Sequence, residues 1–168
     1  MVNIEQISKT YTVRKLELED VIEAYNLFLG NPEYFKHCPP EPSVEMVKAD
    51  MRALPPGKLI FDKYYTGYFD ENNKLVGVID LIERYPDKKS CFIGFFMLLN
   101  SLQNKGLGTK LMNELFEYLK SLGYEEVRLG YVTTNNHAKH FWQKQGFNEL
   151  IKIAKQDLYD MALVKKTL

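Results

Sequence analysis

The sequence predicts a single α/β domain in which helices pack on a mixed β-sheet. Three observations support this fold class. The chain has 168 residues, which fits one domain. Its first half contains a β-hairpin pattern, and its second half alternates strand and helix patterns as in strand–helix–strand crossovers. The predicted order of elements is β, α, α, β, β, β, α, β, α, β, β.

The first third of the chain is predicted to form one strand and two helices. Residues 10–16 alternate weakly between polar and apolar side chains, as a strand does. A helical apolar stripe follows, and Asn31–Pro32 is expected to end it, because a residue before proline avoids helical backbone. Residues 33–42 are predicted to form a loop. Ser43 is a suitable N-cap for a short helix that ends near Leu54.

Three strand patterns come next. Residues 59–69 (LIFDKYYTGYF) favour a strand, residues 70–73 (DENN) are typical of a turn, and residues 74–85 contain a second strand pattern. The two strands are therefore predicted to pair as a hairpin. Residues 90–99 (SCFIGFFMLL) are almost continuously apolar, which predicts a central strand buried on both faces.

The rest of the chain alternates helices and strands. A long amphipathic helix is predicted over residues 107–123, where the final glycine is suited to the C-terminal cap. A strand at 125–132 and a short helix at 135–145 follow it. The patterns at 147–154 and 157–166 predict two closing strands.

The composition limits the classes of partner. The 22 basic residues balance the 22 acidic ones, so neither a nucleic acid nor an anionic membrane surface is an expected partner. No apolar run approaches the ~20 residues that span a bilayer, and residues 1–6 lack a signal-peptide pattern. A cytoplasmic location is therefore expected. Cys38 and Cys91 show no metal-ligand spacing, so no metal site is predicted, and a disulfide between them is not expected.

The stretch QNKGLG at residues 103–108 precedes the long helix and raises two interpretations. Helix N-termini present free N–H groups, and glycines let the backbone approach a ligand, so the stretch could bind a phosphate. It lacks the third glycine of a dinucleotide-binding fingerprint, and Thr109–Lys110 stands in the reverse order to that of a P-loop. The alternative is a helix entry without a ligand.

Two motifs together resemble the GNAT-type N-acetyltransferases. The coenzyme A loop pattern of that family, [QR]-x-x-G-x-[GA], matches Gln103, Gly106 and Gly108. The family's downstream segment is matched by Asn135, Ala138, Trp142, Gly146 and Phe147. The resemblance covers about residues 10–164 and implies one N-acetyltransferase domain over residues 1–168. The implied fold is a mixed, mostly antiparallel sheet of about six to seven strands flanked by about four helices.

The resemblance implies that acetyl-coenzyme A is the cofactor. Backbone groups of the strand end would pair with the pantetheine arm, the glycine loop would bind the pyrophosphate, and Asn135 or Asn136 would bond the arm or merely cap a helix. Lys105 could add a positive charge or remain a surface lysine. The implied cofactor-binding residues are Met97, Leu98, Leu99, Gln103, Asn104, Lys105, Gly106, Leu107, Gly108, Thr109, Asn135, Asn136, Ala138 and Trp142.

The implied reaction is acetyl transfer to a primary amine of a small molecule or peptide, by direct attack in a ternary complex. Many family members have a tyrosine acid at the position of Trp142, and an indole N–H cannot serve as a general acid near neutral pH. The leaving thiolate could instead take a proton from Tyr131, His137 or His140, or from solvent. A second hypothesis is an acyl-coenzyme A-binding sensor or interaction module with weak or no catalysis.

Candidates for the base and the acceptor site come from the hairpin and the first helices. Asp80 and Glu83 are the candidate bases; they should point to opposite faces of their strand, and Glu83 lies near a strand end where exposure is common. The residues expected to bind the acceptor are Tyr34, His37, Tyr64 and Tyr68. Family members often dimerise, so a homodimer is a further expectation.

Overall fold

The computed structural model describes residues 1–168 and contains one seven-stranded sheet in the order β1-β2-β3-β4-β5-β7-β6. Every neighbouring pair is antiparallel except β4 and β5, which run parallel. The strands are β1 (Thr12–Lys15), β2 (Lys63–Phe69), β3 (Leu75–Glu83), β4 (Ser90–Leu98), β5 (Glu126–Val132), β6 (Glu149–Lys155) and β7 (Asp160–Thr167). The predicted mixed, mostly antiparallel sheet is confirmed.

The sheet is flanked by five helices, where about four were predicted. They are α1 (Val21–Leu29), α2 (Pro32–His37), α3 (Val44–Asp50), α4 (Leu107–Ser121) and α5 (Asn136–Lys144). The prediction of a loop over residues 33–42 is therefore wrong in its first half. Pro32 occupies the first turn of α2, where a missing N–H costs no hydrogen bond, so it begins a helix instead of only ending one.

Two hydrophobic clusters lie on opposite faces of the sheet. One contains α4 residues such as Leu111 and Leu115 together with Ile79 of β3. The other packs Phe28 of α1 against Val78 of β3. Because β3 lies between the two clusters, every residue of it is buried.

The middle of β4 is not buried, which contradicts the expectation for its apolar run. Gly94 is exposed, and Phe95 and Phe96 are only partly covered. Pairing between β4 and β5 is limited to residues 90–93 with residues 126–129, although both strands continue beyond it. A cleft therefore opens between the two strands, and the apolar side chains of β4 line it.

The edge strand β6 is exposed along almost its whole length. Its outer edge has no neighbouring strand, and Leu150 is 55% exposed. The homodimer expected from the sequence stays a prediction. None of the helices is both long and apolar enough to cross a membrane.

Candidate active site

A narrow cavity of about 40 Å³ lies in the cleft between β4 and β5. Its walls come from the separated strand segments, and its floor comes from α5. The main lining residues are Gly94, Phe95, Phe96, Gly130, Tyr131, Val132, Asn135, Ala138 and Trp142. The cavity therefore joins residues that the sequence motifs place far apart in the chain.

The loop before α4 carries a series of free backbone donors. The backbone N–H groups of residues 104–109 donate no hydrogen bond within the chain. Asn104 has a φ of 58° and Gly106 a φ of 81°, and left-handed residues of this kind turn successive N–H groups toward one side. Together with the positive end of the α4 dipole, these groups form a cradle for an anion.

The two glycines of this loop have different roles. A Cβ atom at Gly106 would meet no atom within 4 Å, so open space lies before it, and its left-handed backbone favours glycine. A Cβ at Gly108 would lie only 3.1 Å from the ring of Phe141. Gly108 therefore serves the close packing of α4 on α5, and Gly106 is the residue that opens onto the cradle.

Gln103 faces the protein rather than the cradle. Its Nε2 donates to Asn31 Oδ1 at 2.6 Å and to the Leu98 carbonyl at 2.9 Å. Asn31 Nδ2 donates to the same carbonyl at 3.1 Å, so the two side chains tie the loop to the ends of β4 and α1. Asn31 was not among the predicted site residues, because its place before a proline was interpreted only as a helix stop.

The remaining predicted cofactor residues surround the cradle and the cleft. Lys105 is exposed, and its Nζ donates to the Ser101 carbonyl at 2.8 Å. Asn135 Oδ1 accepts from the Ala138 N–H at 2.9 Å, which makes it the N-cap of α5, and the residue also lines the cavity. Its neighbour Asn136 is exposed.

Other predicted cofactor residues are largely packed inside. Met97 and Leu98 are buried, and Leu99, Leu107 and Thr109 are partly covered. Trp142 is 8% exposed, and its ring centroid lies 5.4 Å from that of Phe147. The indole therefore belongs to the core as well as to the cavity floor.

Asp80 lies directly behind the cleft wall. The register of β3 and β4 shifts after Asp80, which leaves Gly94 as an extra residue in a bulge. A Cβ at Gly94 would lie 2.5 Å from Asp80 Oδ2, so the carboxylate occupies the space that a side chain at position 94 would need. Because Gly94 lines the cavity, the glycine brings this carboxylate next to it.

A buried lysine holds this carboxylate. Lys63 Nζ lies 2.6 Å from Asp80 Oδ2, and the Lys63 side chain is 1% exposed. The other oxygen, Asp80 Oδ1, is buried without a hydrogen-bond partner. Burial raises the pKa of Asp80, and Lys63 opposes that rise. Lys63 was not among the predicted site residues, although a lone charge in a strand of aromatic residues was a signal for a buried partner.

Glu83 is on the opposite face of β3 and is fully buried, so its expected exposure is wrong. Its Oε2 accepts from the Val2 N–H at 3.0 Å and from the Tyr124 hydroxyl at 3.1 Å. Arg84 forms an ion pair with its other oxygen. The N-terminal segment covers this strand end, which the local sequence did not indicate. Glu83 thus anchors the N-terminal segment, and the predicted catalytic role gains no support from its position.

Only some of the residues expected at the acceptor site lie near the cleft. Tyr34 lines the cavity, and His37 Nδ1 lies 2.9 Å from Thr134 Oγ1, which joins α2 to the loop after β5. Tyr68 is 0% exposed, and Tyr64 packs against the same α4-side cluster. The predicted acceptor roles of Tyr64 and Tyr68 therefore gain no support from their positions, because the α4 side of the sheet is covered.

Sequence comparisons point to one family. The model of the acetyltransferase (GNAT) family matches residues 21–147, which is more than half of the chain. The uncharacterized protein YxbD of Bacillus subtilis strain 168 is 30% identical over 81 residues, 48% of this chain and 48% of that protein. The chain thus matches about half the length of this curated relative.

Solved structures share the fold at low sequence identity. An acetyltransferase from Thermus thermophilus has a TM-score of 0.74 at 21% identity, with 95% of this chain and 97% of that chain covered. The PaiA N-acetyltransferase from Thermoplasma acidophilum, in complex with coenzyme A, has a TM-score of 0.62 at 21% identity, with 93% and 98% covered. The ribosomal-protein-S18-alanine N-acetyltransferase from Escherichia coli has a TM-score of 0.66 at 15% identity, with 93% and 92% covered.

Proposed function

Because the chain belongs to the acetyltransferase (GNAT) family, we propose that it transfers an acetyl group from acetyl-coenzyme A to a primary amine. The acceptor is a small molecule or a peptide, and its amine attacks the thioester while both substrates are bound. The observation that carries this proposal is the cleft, since β4 beyond residue 93 has no partner strand on its β5 side. The stacked rings of Phe96 and Phe141, 6.1 Å apart, connect this cleft to the cradle at α4.

The residues of the cradle and the cleft fit coenzyme A. Six free N–H groups suit an anionic pyrophosphate. The backbone of β4 beyond residue 93 has no partner strand on its β5 side and suits an extended amide chain, although the Leu98 carbonyl already accepts from Gln103 and Asn31. Asn135, Ala138 and Trp142 line the inner part of the cleft, whereas Gln103 acts by holding the loop in place. When bound, acetyl-coenzyme A supplies an activated acyl group as a thioester.

Asp80 is the proposed proton acceptor for the amine. An alkylamine is protonated near neutral pH and must lose a proton before it can attack. Asp80 Oδ1 has no partner, and burial raises the pKa of this carboxyl above its ordinary value. A carboxylate of raised pKa is a stronger base, so Asp80 suits this role better than Glu83, whose oxygens are already bonded.

Tyr131 is the proposed proton donor to the leaving thiolate. It lines the cavity, and burial raises the pKa of its hydroxyl, so it keeps its proton at neutral pH. We expect Tyr131→Phe to lower kcat by about tenfold to hundredfold, at or below the lower end of general-acid effects, because a thiolate leaves readily. Steady-state release of free coenzyme A measures this. Unchanged kcat in Tyr131→Phe would mean that solvent supplies the proton.

The cradle is tested by a charge placed at Gly106. We expect Gly106→Asp to bind coenzyme A about tenfold or more weakly than Gly106→Asn, since two unit charges about 4 Å apart repel by roughly 1 to 4 kcal/mol near a surface. Isothermal calorimetry measures both affinities. Asparagine and aspartate both tolerate left-handed backbone, so any strain is common to the two variants.

The same pair separates binding from stability. A negative charge at a helix N-terminus stabilises the helix, so Gly106→Asp should unfold at a temperature equal to or above that of Gly106→Asn. Weaker binding in the more stable variant can only come from the ligand site. Equal affinities of the two variants would show that the pyrophosphate does not lie at Gly106.

A second candidate function is binding of acyl-coenzyme A as a sensor without turnover. The observation that favours it is Trp142, whose indole occupies the position of the usual acid and is packed into the core. Thiol release from acetyl-coenzyme A across a panel of amines, with calorimetry of coenzyme A binding, separates the two functions. A transferase gives both coenzyme A binding and thiol release, whereas a sensor binds coenzyme A and releases no thiol with any amine.

A further inference from the structure

A second carboxylate near Asp80 takes no part in the chemistry described above. Asp50 is the last residue of α3 and is only partly exposed. Unlike the other acid of this region, Asp80, it takes part in no hydrogen bond or ion pair within the chain. Burial raises the pKa of Asp50 to about 6, Lys63 opposes that rise, and the charge of Asp80 adds to it. A half-buried acid without a partner is unfavourable for the fold alone.

The hydroxyl of Tyr65 supplies an independent sign of a ligand. Tyr65 is 2% exposed, and its hydroxyl is buried without a hydrogen-bond partner. Tyr65 and Val47 of α3 belong to the same hydrophobic cluster, and Met51, the residue after Asp50, packs against it. Tyr65 also lies opposite Asp80 in the pairing of β2 with β3. Burial first, and then the charges of Asp50 and Asp80, raise the pKa of this hydroxyl. Buried hydroxyl groups normally have a partner, and one left without a partner calls for an explanation.

The charges around these groups do not balance. Lys63 is the cation that acts on Asp50, and its ammonium is already bonded to Asp80. The Lys63–Asp80 pair is neutral overall, so Asp50 adds one negative charge without an ion-pair partner when both acids are ionised. Aromatic rings border this region, since Lys63 Nζ lies 5.4 Å from the Tyr65 ring centroid. Ring faces and a free carboxylate together favour a cation.

The position of Asp50 relative to the cleft decides which cation fits. Asp50 does not line the cavity between β4 and β5, whereas Tyr34 does. Tyr34 and Met51, the residue after Asp50, pack against the same hydrophobic cluster. A group bound at Asp50 is therefore next to the reacting position but not in it. An acceptor that reaches both places needs one amine in the cleft and a second cationic group some atoms away.

We propose that Asp50 and the Tyr65 hydroxyl bind a second ammonium group of the acceptor, so that the preferred acceptor is a linear aliphatic diamine. This inference rests on the proposed acetyl transfer, because the near amine of the diamine is the one that attacks the thioester. The near ammonium first gives one proton to Asp80, and the resulting amine forms the N–C bond while the C–S bond breaks. Tyr131 protonates the leaving thiolate, and the second proton that the nitrogen loses restores the tyrosine through solvent. The far ammonium stays charged throughout and is held by Asp50.

The experiment compares diamines with monoamines of the same chain length. The series runs from diaminopropane to diaminohexane, each with its matched alkylamine, and the readout is the ratio of the two kcat/KM values. We expect the best diamine to exceed its monoamine by tenfold or more in the natural protein, and Asp50→Asn to reduce this ratio to near one. Glu45→Gln is the matched control, since Glu45 lies on the same helix with an 82% exposed side chain.

Three outcomes overturn the inference. They are a ratio near one in the natural protein, a ratio unchanged by Asp50→Asn, and an equal loss in Glu45→Gln. If the protein turns over no amine, calorimetric titration of each diamine, with and without coenzyme A, tests the inference by binding alone. Failure to bind the diamine, or equal binding by Asp50→Asn, overturns the inference there. Failure of the proposed acetyl transfer appears separately, as no release of free coenzyme A with any diamine or monoamine.

Discussion

Replacing Asp80 by asparagine is expected to lower kcat/KM for acetyl transfer by about 10²- to 10⁴-fold, the range for loss of a general base. An amide at this position has nearly the same shape as the carboxylate but cannot take a proton from the amine. Coenzyme A binding should be nearly unchanged, because the cradle at residues 104–109 does not involve Asp80. The measurements are steady-state kinetics and calorimetry on the same preparation.

The pH dependence gives a second readout for Asp80. Burial raises the pKa of this carboxyl, so its basic form, and with it the activity, should be lost as the pH falls through that raised value. We expect the acidic limb of the kcat/KM profile to lie above the ordinary range of an aspartate and to be absent from Asp80→Asn. An acidic limb that persists in Asp80→Asn would assign the base to another group.

Asp80→Asn also leaves the ammonium of Lys63 buried without its partner, so the fold needs a control. The double variant Lys63→Met/Asp80→Asn removes both charges and should fold, yet its activity should stay as low as that of the single variant. Glu125→Gln is a matched surface control, because Glu125 is exposed at the end of β5 away from the cleft. It should keep full activity.

Replacing Lys63 by methionine is expected to destabilise the protein by about 3 to 5 kcal/mol, the usual cost of leaving a buried charge without its partner. The Lys63 ammonium lies 2.6 Å from Asp80, and its side chain is 1% exposed. Adding Asp80→Asn should recover much of the loss, since no charge is then left unpaired. Urea unfolding of the natural protein, both single variants and the double variant gives the four free energies of a double-mutant cycle.

The loss in Lys63→Met should depend on pH in a definite direction. Asp80 has a folded-state pKa above its unfolded value, and removing Lys63 raises it further because the ammonium lowers it now. Because the folded state favours protonated Asp80, the stability that this protonation contributes is lost as the pH rises through the folded-state pKa of Asp80. Lys63→Met should therefore be least stable at high pH and partly recover on acidification.

An exposed ion pair with the same N–O distance is the control for the Lys63–Asp80 pair. Lys155 Nζ also lies 2.6 Å from an aspartate, Asp160, but its side chain is 79% exposed. Exposed ion pairs contribute about 0 to 1 kcal/mol, so Lys155→Met should change stability little. A Lys63→Met variant as stable as Lys155→Met would contradict the view that burial makes the Lys63–Asp80 pair essential to the fold.

Much of the fold was predictable because it depends on local patterns. The strand pattern at residues 59–69, the amphipathic helix from Leu107 and the glycine after it each carry a periodicity or a cap that near neighbours decide. Gly123 has a φ of 85°, as its capping role requires. The helix at Pro32 was missed, because proline both ends one helix and begins another, and the local sequence does not distinguish the two.

The phosphate-binding loop of the candidate site was predictable from the sequence, whereas the buried ion pair behind the cleft was not. QNKGLG stands at a helix start, and its open backbone follows from glycine and from helix geometry. The partnership of Lys63 with Asp80 is different, because it depends on the pairing register of β2 and β3 and on a bulge at Gly94. That bulge cannot be inferred from an apolar run.

By itself, the sequence determined the family, the mixed sheet and a loop suited to a phosphate, because these depend on spacings and conformational preferences within short segments. Only the tertiary structure decided which acids face the cleft. It buried Glu83 beneath the N-terminal segment, brought Asp80 to the cleft wall through the missing side chain of Gly94, and left Asp50 without a partner. The physical reason is that the pKa and reach of a carboxylate depend on the burial and charges around it, which residues distant in the chain supply.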